Sequence, residues 1–433
     1  MFAYEWVLPI YDWQNSTLSK TLPEGDGVKF VFYTNSISPH QLPLARELVK
    51  RLGEDNYRYI YTTPLTVERK NLGWNVDDAK WIICEKDDLQ NCRELLENCD
   101  ILMSGLRDFA LFEKRLAKGL KTIYSSERWF KPVKLFDLRL FDLTIYLPGW
   151  IRLLHPRYFN YARKIAQLLS SKHPFNLSPI QPSTSDQHQT SNSKLQTFNY
   201  YPMGIWAQRD MELICRIFRV PKSVYQSHMH LWGYFVAPSD ISRSNQTISN
   251  LKSNNSPDLP ISTAKKSLRV LWVGRFLVWK RVDTLIRAVV HANSKLQTSN
   301  IKLDIYGLGP KEHELKKLAS TLQLQLSTST IIFHTPVPIA EVRQLMHTHD
   351  LYVMPSNAEE GWGAVVSEAL EEGMRVIGTY EAGSSATILP ESNLYHAGDW
   401  KNLSKMLTQE IPVVPIGRWN VQSAANHLME VIG

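Results

Sequence analysis

Short hydrophobic runs alternate with amphipathic stretches along most of this chain. In the first half, apolar strand patterns are followed by helical patterns, as in VKFVFYTNS (Val28–Ser36) and then PLARELVKRLG (Pro43–Gly53). Further strand patterns occur at Tyr57–Thr63, Asp100–Gly105 and Leu120–Ser126. Strands that alternate with helices favour a parallel sheet with crossover helices.

The second half repeats this alternation more regularly. Its strand patterns are LRVLWVGR (Leu268–Arg275), IKLDIYG (Ile301–Gly307), IIFHT (Ile331–Thr335), DLYVMPS (Asp350–Ser356) and RVIGTY (Arg375–Tyr380). Between them lie amphipathic helical patterns, one with Pro338 near its start and one within AEEGWGAVVSEALEEG (Ala358–Gly373). Buried strands followed by amphipathic helices predict a second α/β domain.

Two segments interrupt the alternation. Residues 172–197 and 239–266 are rich in Ser, Asn, Gln, Thr and Pro, and contain little that a core could bury. We therefore predict an N-terminal Rossmann-like domain at 1–238 with a disordered insert at 172–197, and a low-complexity linker at 239–266. A second Rossmann-like domain follows from residue 267, and the two domains face a cleft.

Composition narrows the classes of function. The chain has 433 residues, 43% of them hydrophobic, and a formal net charge of +7. This mild surplus suits an anionic ligand or an anionic membrane surface better than nucleic acid, so no nucleic-acid partner is expected. The four cysteines form no close metal-like pair, and we find neither a signal peptide nor an apolar run long enough to span a membrane. We expect a cytoplasmic protein, with a peripheral position at the inner face of the plasma membrane as the alternative.

Chemically useful residues follow the predicted strands of the second domain. Arg275 and Lys280 come after the first strand, Glu360 after the fourth, and Ser384 and Ser385 after the fifth. Because parallel strands end at one edge of a sheet, these side chains should converge there. Arginine and lysine suit a diphosphate, whereas Glu360 and the later Glu368 suit the hydroxyls of sugars. Together they predict a nucleotide-sugar site.

VGRFLVWKRVDTLIRAV, YGLGP and MPSNAEEGWGAVVSEAL resemble the C-terminal domain of family 4 glycosyltransferases, which have the GT-B fold. The family signature of two glutamates separated by seven residues matches Glu360 and Glu368. The resemblance implies that Glu360 contacts the donor sugar, that Glu368 contacts the ribose, and that Arg275 and Lys280 hold the diphosphate. The catalytic candidates are then Arg275, Lys280 and Glu360, and the candidates for donor binding are Gly274, Gly307, Gly309, Gly361, Trp362, Gly363, Glu368, Ser384 and Ser385.

The resemblance also bears on the domain boundaries. The second domain is expected at 267–415, and the segment 416–433 is similar to the last helix of the fold, which crosses back to the N-terminal domain. After the fifth strand, AGSSAT replaces the family's usual glycine pair and acidic residue.

The acceptor side is less defined by the sequence. Ser125, Ser126 and Glu127 stand where many relatives have a histidine, and NSISPHQ lacks the usual glycines of the acceptor-side loop. His40 and Glu127 are acceptor-side candidates; His40 can equally be an exposed loop residue, and Glu127 can form an ion pair with Arg128 or Lys131. The basic, aromatic stretch His155–Leu169 suits either packing on its own domain or a membrane surface, and the pattern favours packing.

These observations predict a glycosyltransferase that moves a sugar from a UDP- or GDP-sugar to a glycan or lipid-linked acceptor. The resemblance implies retention of configuration, no metal and no cofactor, and polysaccharide biosynthesis as the setting. The alternatives are a catalytically silent nucleotide-sugar-binding protein and a nucleotide-sugar epimerase. A dinucleotide oxidoreductase would need a Gly-x-Gly-x-x-Gly turn after a first strand, and we find none.

Overall fold

The computed structural model describes residues 29–71, 74, 79–131, 133–138, 143–147, 149–170, 198–238, 267–295, 301–324 and 330–432. The predicted insert at 172–197 and the predicted linker at 239–266 lie outside these residues. In the part of the chain that is described, no helix is both long enough and apolar enough to cross a membrane.

The N-terminal domain is an α/β layer structure. Its elements are β1 (Phe30–Thr34), α1 (Leu42–Leu52), β2 (Tyr57–Tyr61), α2 (Val67–Asn71), β3 (Ile82–Cys84), α3 (Leu89–Asn98), β4 (Ile101–Ser104), α4 (Phe109–Ala117), β5 (Lys121–Ser126), β6 (Val133–Leu138), β7 (Leu143–Leu147), α5 (Pro156–Ser170), β8 (Phe198–Pro202), α6 (Ile205–Ile217) and α7 (Lys222–Gln226). Six strands form a parallel sheet in the order β3-β2-β1-β4-β5-β8, while β6 and β7 form a separate antiparallel pair.

The C-terminal domain repeats the same architecture. Its elements are β9 (Leu268–Val273), α8 (Val282–Lys295), β10 (Ile301–Tyr306), α9 (Glu312–Gln323), β11 (Ile331–His334), α10 (Ile339–Thr348), β12 (Leu351–Met354), α11 (Val365–Glu371), β13 (Arg375–Thr379), α12 (Gly383–Ile388), β14 (Leu394–Tyr395), α13 (Trp400–Met406) and α14 (Val421–Ile432). The parallel sheet has the order β11-β10-β9-β12-β13-β14. The predicted pair of doubly wound domains is therefore confirmed.

In both sheets the strand order reverses beside the first strand of the domain, between β1 and β4 and between β9 and β12. Loops that leave the carboxyl ends of strands on either side of such a reversal point separate and leave a crevice. The crevice of the C-terminal domain is bordered by the loop after β9, which contains Arg275, and the loop after β12, which contains Glu360. The strand order thus places the predicted donor residues at the ligand-binding edge.

The helix predicted within Ala358–Gly373 is present and follows the Gly-Trp-Gly turn. It is α11, which begins at Val365. Gly363 has a φ of 82°, a left-handed conformation that a right-handed helix does not allow. Gly361–Gly363 therefore forms an extended loop that precedes the helix, and Glu368 lies in the first turn of α11.

Helix α14 packs on the N-terminal domain. Ala424, Ala425 and Leu428 are buried in one cluster with Leu44 and Leu48 of α1. At the edge of this contact, Arg51 donates a hydrogen bond to the amide oxygen of Asn426 at 2.6 Å. The end of the chain therefore helps to hold the two domains together.

Candidate active site between the two domains

Lys280 and Glu360 form an ion pair at the reversal point of the C-terminal sheet. Lys280 ends a short 3-10 helix (Val278–Lys280) after β9, and its ammonium lies 2.6 Å from a carboxylate oxygen of Glu360. Both side chains are mostly buried. Burial by itself raises the pKa of Glu360, but the Lys280 ammonium outweighs burial and holds that pKa below its usual value. The carboxylate is therefore ionised and fixed at the crevice.

Arg275, two residues after β9, is exposed, and among the described residues nothing pairs with its guanidinium. Such a cation is available to an anionic ligand, and the planar guanidinium suits two phosphate oxygens at once.

The predicted glycines near these residues bring two loops into backbone contact. A Cβ on Gly307 would lie 2.0 Å from the carbonyl oxygen of Gly274, and one on Gly309 would lie 2.8 Å from the Phe276 nitrogen. The Phe276 N–H donates to the Leu308 carbonyl at 2.8 Å. These glycines therefore act by allowing the loops after β9 and β10 to pack closely, which fixes the main chain around Arg275.

Glu368 is paired across the domain boundary. Its carboxylate accepts from Nδ1 of His40, which precedes α1, at 2.9 Å. Burial raises the pKa of Glu368, but the contact with His40 and the more distant Arg343 outweigh it and leave the pKa below its usual value. His40 also lies against Trp74 and Tyr234, with ring centroids 6.0 Å and 5.9 Å away. The structure therefore brings this acceptor-side candidate onto the glutamate that the resemblance assigned to the ribose.

Glu127 reaches the same wall from the end of β5. One of its carboxylate oxygens accepts from the Trp362 N–H at 3.3 Å, and a Cβ on Gly361 would lie 1.9 Å from its other oxygen. Lys131 lies 3.8 Å from Glu127 and donates to the Glu359 carbonyl at 3.0 Å. Glu127 thus forms the ion pair with Lys131 that the sequence allowed. Its carboxylate also contacts the Trp362 N–H, a main-chain group that could donate to an anionic ligand.

Trp362 and the two serines have mainly packing contacts. The Trp362 indole is fully buried between Gly233 and Trp419, so only its main chain faces the cleft. The Ser384 hydroxyl donates to the Gly363 carbonyl at 2.9 Å. Ser385 is fully buried beside Gly378. Ser384 thus stabilises the Gly361–Gly363 loop.

Several residues that dock the domains together are not among the predicted site residues. Trp206, at the start of α6, donates from its indole to the Tyr380 carbonyl at 2.8 Å, and Ile205 donates to the Thr387 hydroxyl at 3.0 Å. Arg128 lies over the Trp206 ring and donates to the Ala358 carbonyl at 3.4 Å. These residues lie in YSSERWFK (residues 124–131) and PMGIWAQRDM (residues 202–211), two aromatic and charged stretches in which the sequence offers a signal for them.

Comparison with known proteins bears on the family and the fold of this chain. Residues 233–410, less than half of the chain, match the family described as glycosyl transferases group 1. A comparison with curated proteins found no match.

Among solved structures, Anabaena Alr3699/HepE in complex with UDP has a TM-score of 0.56 at 12% identity, over 93% of this chain and 99% of that one. WaaG, a glycosyltransferase involved in lipopolysaccharide biosynthesis, has a TM-score of 0.50 at 14% identity, over 93% of this chain and 95% of that one. The chain therefore has the GT-B fold, and the match to the group 1 family is confined to residues 233–410.

Proposed function

We propose that this protein transfers a sugar from a UDP- or GDP-sugar to a glycan or lipid-linked acceptor, with retention of configuration. The observation that carries the proposal is the buried Lys280–Glu360 ion pair at the crevice between β9 and β12, together with an exposed Arg275 in the loop after β9, for which the described residues offer no partner. Two cations that suit a diphosphate and a fixed carboxylate that suits sugar hydroxyls therefore border the same crevice. The UDP bound to HepE, a protein of the same fold, supports a nucleotide ligand.

In this proposal Arg275 and Lys280 stabilise the charge that develops on the departing nucleoside diphosphate, so that no metal ion is needed. Cationic groups that are already in place stabilise a transition state most where negative charge develops in it. Glu360 binds the donor sugar and also keeps Lys280 in position. The leaving phosphate oxygen accepts the proton of the attacking hydroxyl on the same face of the sugar, which gives retention without a separate base.

The remaining parts of the proposal concern the setting. The N-terminal wall, with His40 and Glu127, holds the acceptor, and the reaction serves polysaccharide biosynthesis. The involvement of WaaG in lipopolysaccharide biosynthesis supports an acceptor of this class. A lipid-linked acceptor would place the enzyme at the cytoplasmic face of a membrane.

Thermal unfolding in the presence of nucleotides tests the donor site. A ligand that binds the folded protein raises its melting temperature, and even weak ligands are detected. We expect UDP or GDP to raise the melting temperature of the wild type, and Arg275→Ala and Glu368→Ala to abolish that rise. Lys302→Ala, an exposed cation of the same domain, is the matched control. A rise with NAD or nucleic acid, and none with any nucleoside diphosphate, would contradict the proposal.

Retention is tested separately by the sugar that the enzyme releases from the donor by slow hydrolysis. Proton NMR of the first product should show the anomeric configuration of the donor. The inverted anomer as first product would exclude a retaining mechanism, and a released sugar-nucleotide of altered configuration would identify an epimerase.

A further inference from the structure

An apolar patch lies on the outer surface of the N-terminal domain, at the beginning of α5. Trp150 and Leu154, in the 3-10 helix Gly149–Leu154 that leads into α5, are 52% and 76% exposed. Phe159, on the second turn of α5, is 42% exposed, and Ile217, at the end of α6, is 44% exposed. The Phe159 ring lies 5.2 Å from that of Phe218, so the two helices contribute to one surface. We call these four exposed residues the α5 patch.

The rest of α5 packs inward, as its pattern indicated. Ala162, Ile165, Ala166, Leu168 and Leu169 are buried in the core of the N-terminal domain. The side chains of the α5 patch are therefore not a continuation of the buried stripe. Large apolar side chains clustered at a surface usually mark an interaction site.

The charge around the α5 patch is mainly positive. Residues 149–170 contain Arg152, Arg157, Arg163 and Lys164, and residues 213–238 contain Arg216, Arg219 and Lys222, whereas neither range contains Asp or Glu. The acidic residues nearest to these ranges are Glu212 of α6 and Glu113, which pairs with Lys164 at 3.1 Å. Arg157, Arg163, Arg216 and Arg219 are exposed. Tryptophan and leucine surrounded by cations suit the interface of an anionic bilayer, where apolar side chains enter the headgroup region and cations contact anionic lipid.

The α5 patch is also linked to the cleft. Arg152 donates from Nε to the Lys131 carbonyl at 3.2 Å, and the Lys131 ammonium donates to the Glu359 carbonyl at 3.0 Å. Lys131 therefore connects Arg152, on the basic surface, to the loop that carries Glu360. A bilayer that covered the patch would lie beside the acceptor side of the cleft.

We propose that the α5 patch and its surrounding arginines dock this protein on the surface of a membrane that contains anionic lipid. The docking surface itself does not depend on the proposed function. Only the suggestion that docking delivers a lipid-linked acceptor to the cleft rests on it.

Vesicle flotation of the purified full chain, without nucleotide or acceptor, tests the surface. The probes are vesicles of phosphatidylcholine alone and of phosphatidylcholine with phosphatidylglycerol. The wild type should float with the anionic vesicles only, and should be released as the salt concentration rises, because salt screens exposed charges. Failure to float with anionic vesicles would overturn the proposal.

Two sets of variants separate the apolar and ionic contributions. The triple variant Arg157→Gln, Arg163→Gln and Arg216→Gln should lower the vesicle partition coefficient about 100-fold, since each cation near an anionic surface contributes about a factor of five. The matched triple Lys302→Gln, Lys317→Gln and Lys405→Gln removes the same charge from the C-terminal domain and should change it little. Equal losses in the two triples would show attraction by net charge alone and would overturn the assignment of this surface.

The apolar variant Trp150→Ser with Leu154→Ser should lower the partition coefficient at least about tenfold. Leu89→Ser with Val413→Ser, at two exposed apolar positions outside the patch, is its control. If the patch variant instead abolished a dimer seen by light scattering and left flotation unchanged, the patch would bind a second copy and the membrane proposal would fail. A missing nucleotide effect in the thermal assay would contradict the proposed function without affecting this result.

Discussion

The C-terminal wall of the cleft carries Arg275, Lys280 and Glu360, whereas the N-terminal wall carries His40, Glu127 and Lys131. On the C-terminal wall, Lys280 and Glu360 are paired within their own domain, and Arg275 is left exposed. On the N-terminal wall, all three residues contact the opposite domain, at Glu368, the Trp362 N–H and the Glu359 carbonyl.

This difference indicates how the two walls divide the work. On the C-terminal wall, the ion pair between Lys280 and Glu360 is formed within one domain, so we expect this wall to supply most of the contacts to a donor. On the N-terminal wall, the Glu127 carboxylate accepts from the Trp362 N–H, and the His40 imidazole contacts the Glu368 carboxylate. A nucleotide-sugar would use the same two groups of the C-terminal domain. Donor binding is therefore expected to replace these interdomain contacts, and the predictions below test this division.

The largest expected effect is the difference between replacing Lys280, on the C-terminal wall, and replacing Lys131, on the N-terminal wall. Lys280→Met should lower kcat/KM about 1000-fold, because it removes a cation from the leaving group and also leaves Glu360 buried without its ion-pair partner. Lys131→Met should lower kcat/KM only about tenfold, since the Lys131 side chain is 38% exposed and its ammonium contacts a main-chain carbonyl. Steady-state kinetics with the donor identified in the thermal assay measures both.

Lys316→Met, on the surface of α9, is the control for loss of a lysine, and its kinetics should match the wild type. Equal losses in Lys280→Met and Lys131→Met would contradict the division between the walls. The circular dichroism of each variant would show whether a loss reflects unfolding.

A second prediction compares the seam between the domains with the C-terminal sheet. His427 of α14 is buried and 2.7 Å from the Tyr201 hydroxyl, and burial, with smaller contributions from His230 and Arg418, lowers its pKa to about 3. Its ordinary pKa is about 6.5, so below that pH the unfolded chain binds a proton that the folded chain does not. Stability from this residue is present above pH 6.5 and is lost as the pH falls, by about 2 kcal/mol at pH 5.

The C-terminal sheet should respond only in stronger acid. Asp304 of β10 accepts from His349 and His334, which lower its pKa to about 2, so its contribution is present above its ordinary value of 3.8 and is lost as the pH falls towards 2. Urea denaturation at pH 7 and pH 5 should show that His427→Phe removes part of the pH dependence and that Asp304→Asn does not. An unchanged pH dependence in His427→Phe would refute the prediction.

The two walls also differ in how far the sequence predicts them. Arg275, Lys280 and Glu360 follow buried strands by a few residues, so the alternation of strands and helices is sufficient to place them at one edge. His40 and Glu127 could be placed near the cleft in the same way. Their partners Glu368 and Trp362 could not be named, because those contacts depend on how two separately folded domains meet.

Other limits of the sequence have local causes. The left-handed conformation of Gly363, just before α11, is not indicated by the apolar periodicity. The strands β3 and β14 were not identified because they contain only three and two residues, and β8 and the pair β6–β7 were not identified either. Trp362 is a donor-binding candidate of the motif, but the packing of its indole on Gly233 is visible only in the folded chain.

The smallest expected effect concerns the contact of His40 with Glu368. If a nucleotide must displace this contact, His40→Ala should bind UDP or GDP about fivefold more tightly, because one interdomain hydrogen bond of about 1 kcal/mol no longer competes. Isothermal titration calorimetry of the wild type, His40→Ala and Glu368→Gln measures this. Glu368→Gln should weaken nucleotide binding, since it removes the carboxylate that both His40 and the ribose would contact. Weaker binding in His40→Ala would instead mean that the imidazole supports the bound donor, and that the N-terminal wall takes part in donor binding as well as in closing the cleft.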